Sequence, residues 1–192
     1  RWKGTDMIRA HSIVAVADEI VQAIQGQDMI SINIIGKQST GKTTIAETIS
    51  HLVHEMSEFP FKVNFLGKKE ILDLEHTVSE LTPTNQIIVF DDMSFLGANA
   101  TSKQIKVIES ILSTIRHLPG GKDVRIILIK NMHYTKSISP FLRQNDFTFI
   151  SSVDPNEIKN LKEVLGDVNG SKVDQLLNLR AEALLEHKFT IR

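Results

Sequence analysis

Cysteine is absent from this sequence, which excludes a disulfide framework and any zinc site built on thiolates. No apolar run reaches the length of a bilayer span and no segment resembles a signal peptide, so a soluble cytoplasmic protein is the default expectation. Charge of one sign is not in excess: the net is −1, which by itself argues for no particular partner. Internal repeats, low-complexity tracts and obvious linkers are also missing, which removes solenoids and tethered modules. What remains is a chain of 192 residues, 41% hydrophobic. That suits one well-buried domain over 1–192, with 1–28 as a helical N-terminal extension. The chain opens on Arg1 rather than Met, which leaves room for flanking domains in a longer protein.

The distribution of charge says more than its sum. Residues 1–100 hold 8 Lys/Arg against 13 Asp/Glu, residues 101–150 hold 8 against 3, and residues 151–192 hold 6 against 7. The basic middle segment is a candidate nucleic-acid or phosphate footprint, and equally a solvated face. Lys103, Lys106, Lys122, Arg125, Lys130 and Lys136 are its candidate phosphate contacts, and His133-Tyr134 adds a candidate stacking pair.

Apolar groups at Ile13, Val14, Val16, Ala17, Ile20, Val21 and Ile24 have helical spacing over 10–26. The runs 29–35, 61–66, 86–90, 124–129 and 147–151 read as strands, the third so apolar that it is expected to be buried on both faces. Helices are predicted over 43–54, 68–81 (stopped by Pro83), 102–118, 155–165 and 171–185, and 187–192 as a last strand. Strands alternating with helices imply an α/β domain: a parallel sheet covered on both faces.

Between the first strand and its helix lies Gly36-Lys37-Gln38-Ser39-Thr40-Gly41-Lys42-Thr43, which fits G-x-x-x-x-G-K-[ST] at every fixed position. The glycines permit backbone angles and close approach that a Cβ denies. Successive N–H groups from Gly36 to Thr44, with the positive end of the helix, are then aimed at a phosphate. Lys42 is expected at the β- and γ-phosphates of ATP, and the Thr43 hydroxyl on Mg²⁺. The third strand ends in Asp91-Asp92. Asp91 is the candidate for the Mg²⁺ shell and Asp92 for polarising the attacking water, with Glu70 as the spare base because Asp is shorter than the usual Glu.

With these two motifs the chain resembles a P-loop NTPase of the division that inserts an extra strand between the phosphate-loop strand and the Walker B strand. That resemblance implies a RecA-like three-layer fold, a sheet of order 5-1-4-3-2, and a polar sensor at the end of the fourth strand, here Asn131. Residues 113–150 also resemble the second half of the FtsK/HerA superfamily, in particular genome-packaging ATPases of membrane-containing and large DNA viruses. In that pattern a helix ends in Arg116-His117, a strand in a sensor, and Pro140-x-x-Arg143-x-Asn145 precedes a final strand. The sensor there is usually Gln, from which Asn131-Met132-His133 departs. The resemblance implies a ring-forming motor on double-stranded DNA, in the host cytoplasm or on the virion. Arg143 or Arg116 would reach a neighbour's phosphate, and a capsid or other protein would anchor the ring. A helicase loader or initiator of the AAA+ type, a small nucleotide phosphotransferase and a nucleotide-gated module remain as alternatives. Only Arg180 falls in 155–185, where the loader reading expects an arginine-rich sensor.

Overall fold

Isoleucine and valine dominate five short segments, and β-branched side chains pack best on a pleated surface buried on both sides. In the computed structural model these are β1 (Met29–Ile35), β2 (Lys62–Leu66), β3 (Gln86–Phe90), β4 (Ile126–Met132) and β5 (Phe147–Ile150). The structure describes residues 12–81, 84–96, 100–115, 124–133, 139–152, 155–170 and 173–174. The strands form one sheet in the order β2-β3-β4-β1-β5, and every pairing is parallel. This is the 5-1-4-3-2 order, with β4 as the strand added between β1 and β3.

The period of two divides the sheet into faces. Ile30, Ile32, Ile34, Ile87, Val89, Ile127 and Ile129 point to one side, where they pack with α1 (Ile13–Gln25) and α2 (Lys42–Met56). Ile35, Ile88, Phe90, Ile126, Leu128 and Met132 point to the other, under α5 (Ser102–Thr114). Each fully buried isoleucine contributes about 1.5–3 kcal/mol, so the two cores fix the register of every strand.

Ser12 caps α1 through its side chain, and Ala17, Ile20, Val21 and Ile24 supply the buried stripe. Thr101 and Gln104 form a capping box that starts α5. The single helix expected over 68–81 is two: α3 (Lys68–Leu72) and α4 (Leu74–Ser79), broken at Asp73, whose backbone at φ −112°, ψ 44° is not helical. α6 (Pro140–Arg143) is a short helix capped by Ser139, and α7 (Ile158–Gly170) follows a 3₁₀ turn at Pro155–Glu157. The fourth strand starts later and runs further than 124–129, through Lys130 and Asn131. Among the described residues no helix is long and apolar enough to cross a membrane. The expected helix over 171–185, the strand over 187–192, and Arg116, Lys122, Tyr134, Lys136 and Arg180 lie outside the described residues.

Candidate nucleotide-phosphate site

β1 delivers the chain to the C-terminal edge of the sheet, and the glycine loop turns there into α2. Gly41 stands at φ 79° and Ser39 at φ 61°, the left-handed region that curls successive N–H groups inward. Gly36 is required by crowding: a Cβ on it would lie 1.9 Å from Ser151 Oγ and 2.9 Å from Thr40 Oγ1. Lys42 is buried at the start of α2, and its Nζ donates to the carbonyls of Gly36 (3.1 Å) and Lys37 (2.7 Å). The ammonium is thus held inside the curve of the loop. Burial pushes its pKa below the usual lysine value, against the opposing pull of Asp92 and Asp91. Gln38, Ser39 and Thr44 are exposed on the outer side, while the Thr40 hydroxyl donates to Lys37 O (2.7 Å).

Three strand tips are stitched together around this loop. Gly36 N donates to Met132 O (3.1 Å), and Met93 N donates to Asn131 O (2.8 Å). One oxygen of Asp91 then accepts from both Thr43 Oγ1 (3.0 Å) and Asn131 Nδ2 (3.0 Å). The other polar atom of that amide, Asn131 Oδ1, is buried and takes no hydrogen bond from the described residues. Asn131 is fully buried as the penultimate residue of β4, at the strand's end beside the phosphate loop. A hydroxyl and a carboxylate oxygen converging beside a phosphate loop form a hard oxygen donor pair that fits Mg²⁺. No group of three or more acidic, His or Cys side chains that could hold a metal occurs among the described residues.

Asp92 leaves the strand at φ 59° with its side chain largely exposed, and its Oδ1 accepts from Ser94 N (3.1 Å). That oxygen is 3.7 Å from His133 Nε2. The His133 backbone N–H donates to Ser94 Oγ (2.8 Å). Partial burial, followed by the neighbouring Lys42 charge, lowers the pKa of His133, with Asp92 opposing. Glu70 is exposed on α3, after an edge strand that β3 and β4 separate from β1, and it joins none of these contacts.

The tip of β5 completes the site from the other side. Ser151 Oγ is 2.7 Å from Thr40 Oγ1, and Lys37 N donates to Ser152 Oγ (3.3 Å). Sequence reasoning missed Ser94, Ser151 and Ser152 and read His133 only as a stacking residue. The strand order was the available signal for the serines, because in a 5-1-4-3-2 sheet β5 ends beside the phosphate loop.

Other expected site residues lie elsewhere. Lys130 is 3% exposed and its Nζ donates to the carbonyls of Leu142 (2.9 Å) and Gln144 (2.6 Å). It is a core residue and no nucleic-acid contact. Arg125 precedes β4 at the opposite end of the sheet, stacked 3.8 Å from the Phe59 ring centroid and donating to Ile24 O (3.2 Å). It too leaves the basic footprint. Lys103 and Lys106 are on α5 beside the exposed Val107. Arg143 is expected from the sequence in a polar loop between the fourth and fifth strands, near the sheet end that carries the nucleotide; its backbone instead belongs to α6, and the chain just after it pairs with the start of β1 through Asp146 N and Ser31 O (2.8 Å). Phe141, Leu142, Gln144 and Asp146 line a cavity of about 290 Å³ with Met29 and Ser31, over the end of the sheet away from the phosphate loop.

No family model and no curated protein matches the sequence. Solved structures do resemble it. A chain of the E. coli HORMA:CdnC:Trip13 complex superposes with a TM-score of 0.50 at 16% identity, covering 78% of this chain and 59% of that one. A Thermotoga maritima RuvB mutant gives 0.49 at 14% identity over 79% and 47%. A DNA polymerase III gamma subunit-related protein from Thermotoga maritima gives 0.46 at 15% over 81% and 52%. The chain therefore spans about half the length of the structures it resembles, and likeness at this identity speaks for the fold alone. Sheet order, loop and strand tips together define that fold as the additional-strand, RecA-like form of the P-loop nucleoside triphosphatases.

Proposed function

We propose that this protein is a Mg²⁺-dependent ATPase that works in a head-to-tail ring, and that the load it moves is double-stranded DNA. The observation that carries the ATPase reading is the single Asp91 oxygen shared by Thr43 and Asn131 across the mouth of the phosphate loop. Thr43 and Asp91 would hold the ion, which when bound neutralises phosphate charge. Lys42 turns its ammonium from the loop carbonyls to the phosphate oxygens. Asp92 is the carboxylate nearest the loop that is free of the Thr43–Asn131 network, and it orients the attacking water with His133 beside it.

Placement supports the ring reading. Head-to-tail assembly uses two different patches on each subunit, and the backbone of Arg143 in α6 is followed by a segment that pairs with the start of β1, at the sheet end remote from its own phosphate loop. An arginine there serves a neighbour's phosphate. The DNA reading rests on the resemblance to packaging ATPases and on Lys103 and Lys106, and a capsid or other anchor belongs to the same reading. With Lys130 buried and Arg125 half-buried against Phe59 at the opposite end of the sheet, a second reading gains ground: an AAA+-type loader or nucleotide-gated module whose hydrolysis is coupled to a protein partner.

The test is turnover against protein concentration, with and without duplex DNA. The motor requires specific activity that rises with both. Activity that rises with concentration yet ignores duplex supports the second reading, and activity indifferent to both overturns the ring.

A further inference from the structure

A lysine in the middle of a buried parallel strand is costly, because its charge leaves water and must be met by fixed dipoles. Lys130 is such a residue. It faces the α5 side of the sheet, where its neighbours Leu128 and Met132 are core, and it spans to the two carbonyls, Leu142 O and Gln144 O, that flank Arg143. Further polar contacts pin the same segment to β1. Ser31 Oγ donates to Gln144 O (3.3 Å), Ser31 N donates to Asp146 Oδ2 (2.8 Å), and Asn33 Nδ2 donates to Asn145 Oδ1 (3.1 Å). The next residue along β4, Asn131, faces the α2 side and holds Asp91. Adjacent residues of one strand therefore grip the Asp91 carboxylate beside the phosphate loop on one face and the backbone flanking Arg143 on the other.

We propose that Lys130 is a positioning residue for Arg143, tying the arginine offered to the next subunit to the strand that senses the nucleotide of its own. This rests on the reading of Arg143 as acting in trans. A displacement of Asn131 against Asp91 on nucleotide binding would move β4, and the ammonium would carry it to residues 142–144. A loop held only by its own turn would leave the two sites uncoupled. Lys130 touches no phosphate and no reacting atom.

The experiment separates giving an arginine from receiving one, using single-turnover ATP hydrolysis in mixtures of full chains. Arg143→Ala subunits keep their own site and offer no arginine, whereas Lys42→Ala subunits offer Arg143 from a dead site. Mixing the two should raise hydrolysis above either alone. Adding Lys130→Met to the Lys42→Ala donor should cut that stimulation about tenfold or more. Adding it to the Arg143→Ala acceptor should leave stimulation within about twofold, with nucleotide affinity unchanged. Equal losses on both sides would show a role in folding only, and no loss on the donor side would show no role; either overturns the proposal. If Lys42→Ala subunits fail to stimulate Arg143→Ala subunits with Lys130 intact, the trans reading itself falls and takes this inference with it. Should Lys130→Met not fold, Lys130→Gln, uncharged and too short for both carbonyls, gives the same readouts.

Discussion

Replacing Lys130 with methionine has a consequence for stability that can be worked from its surroundings. Burial lowers the pKa of this amine from 10.5 to about 8, with Asp146 opposing the shift. Below pH 8 the folded and unfolded chains both bind the proton, and the folded state carries the full cost of a charged core. Between about 8 and 10.5 the unfolded chain binds more proton than the folded one, so stability rises with pH across that window and levels above it. The interval from 10.5 to about 8 corresponds to about 3 kcal/mol. Methionine matches the volume, removes the charge, and withdraws the donor from two carbonyls at about 1–3 kcal/mol each. At pH 7 relief and loss nearly offset, and Lys130→Met should unfold within about 2 kcal/mol of wild type. At pH 10.5 the relief is gone and the mutant should be weaker by about 3 kcal/mol more. Urea denaturation at several pH values, followed by circular dichroism, reads this as the difference between the two proteins, in which shared titrations cancel. A difference that stays flat from pH 7 to 10.5 would mean that Lys130 is not a desolvated amine, and the reasoning would fail.

Lys42→Ala should abolish ATP binding or turnover with the fold intact, as judged by a calorimetric titration beside a melting curve; normal hydrolysis would remove the phosphate-loop assignment. Asp91→Asn should weaken Mg²⁺-dependent nucleotide binding, while Asp92→Asn should spare binding and slow turnover about 100-fold or more. Glu70→Gln should leave turnover unchanged, and a loss there with Asp92→Asn active would move the base to α3. Gly36→Ala should drive the loop away from Ser151 and lose nucleotide binding, and pairing it with Ser151→Ala should recover part of that loss by removing the nearest atom of the clash.

Much of this fold is legible in the sequence because the physics that forms it is local. Met29–Ile35 and Gln86–Phe90 are apolar runs whose neighbours are glycine loops and acidic tips, and they form strands over those very residues. The phosphate loop is legible for the same reason: its glycines, lysine and threonine are fixed by spacing within one turn of chain. Where the reading departs from the structure, a distant partner decides. Lys130-Asn131 reads as the polar exit of a strand, yet both lie within it, because the carbonyls of residues 142 and 144 take the ammonium and the Asp91 carboxylate takes the amide N–H inside the protein. The 68–81 pattern stays amphipathic through Asp73, and only the backbone shows the break. Ser151 and His133 acquire meaning from strand order and from a 3.7 Å approach to Asp92, neither of which periodicity encodes.

Parity along β4 makes the two grips of this strand a single feature. The parallel register sets Lys130 against Asn33 and Asn131 against Ile34. Each pair thus places its members on one common face: Asn33 and Lys130 under the 140–146 segment, Ile34 and Asn131 toward α2. A slip of one residue would turn Asn131 into the α5 core and Lys130 toward Asp91. The apolar residues forbid that slip, since Ile127 and Ile129 on one side and Leu128 and Met132 on the other would all exchange cores at once. The hydrophobic alternation of β4 therefore does more than bury area. It decides which of two adjacent polar side chains meets the nucleotide and which meets the arginine segment, and it leaves no intermediate arrangement in which only one of them is engaged.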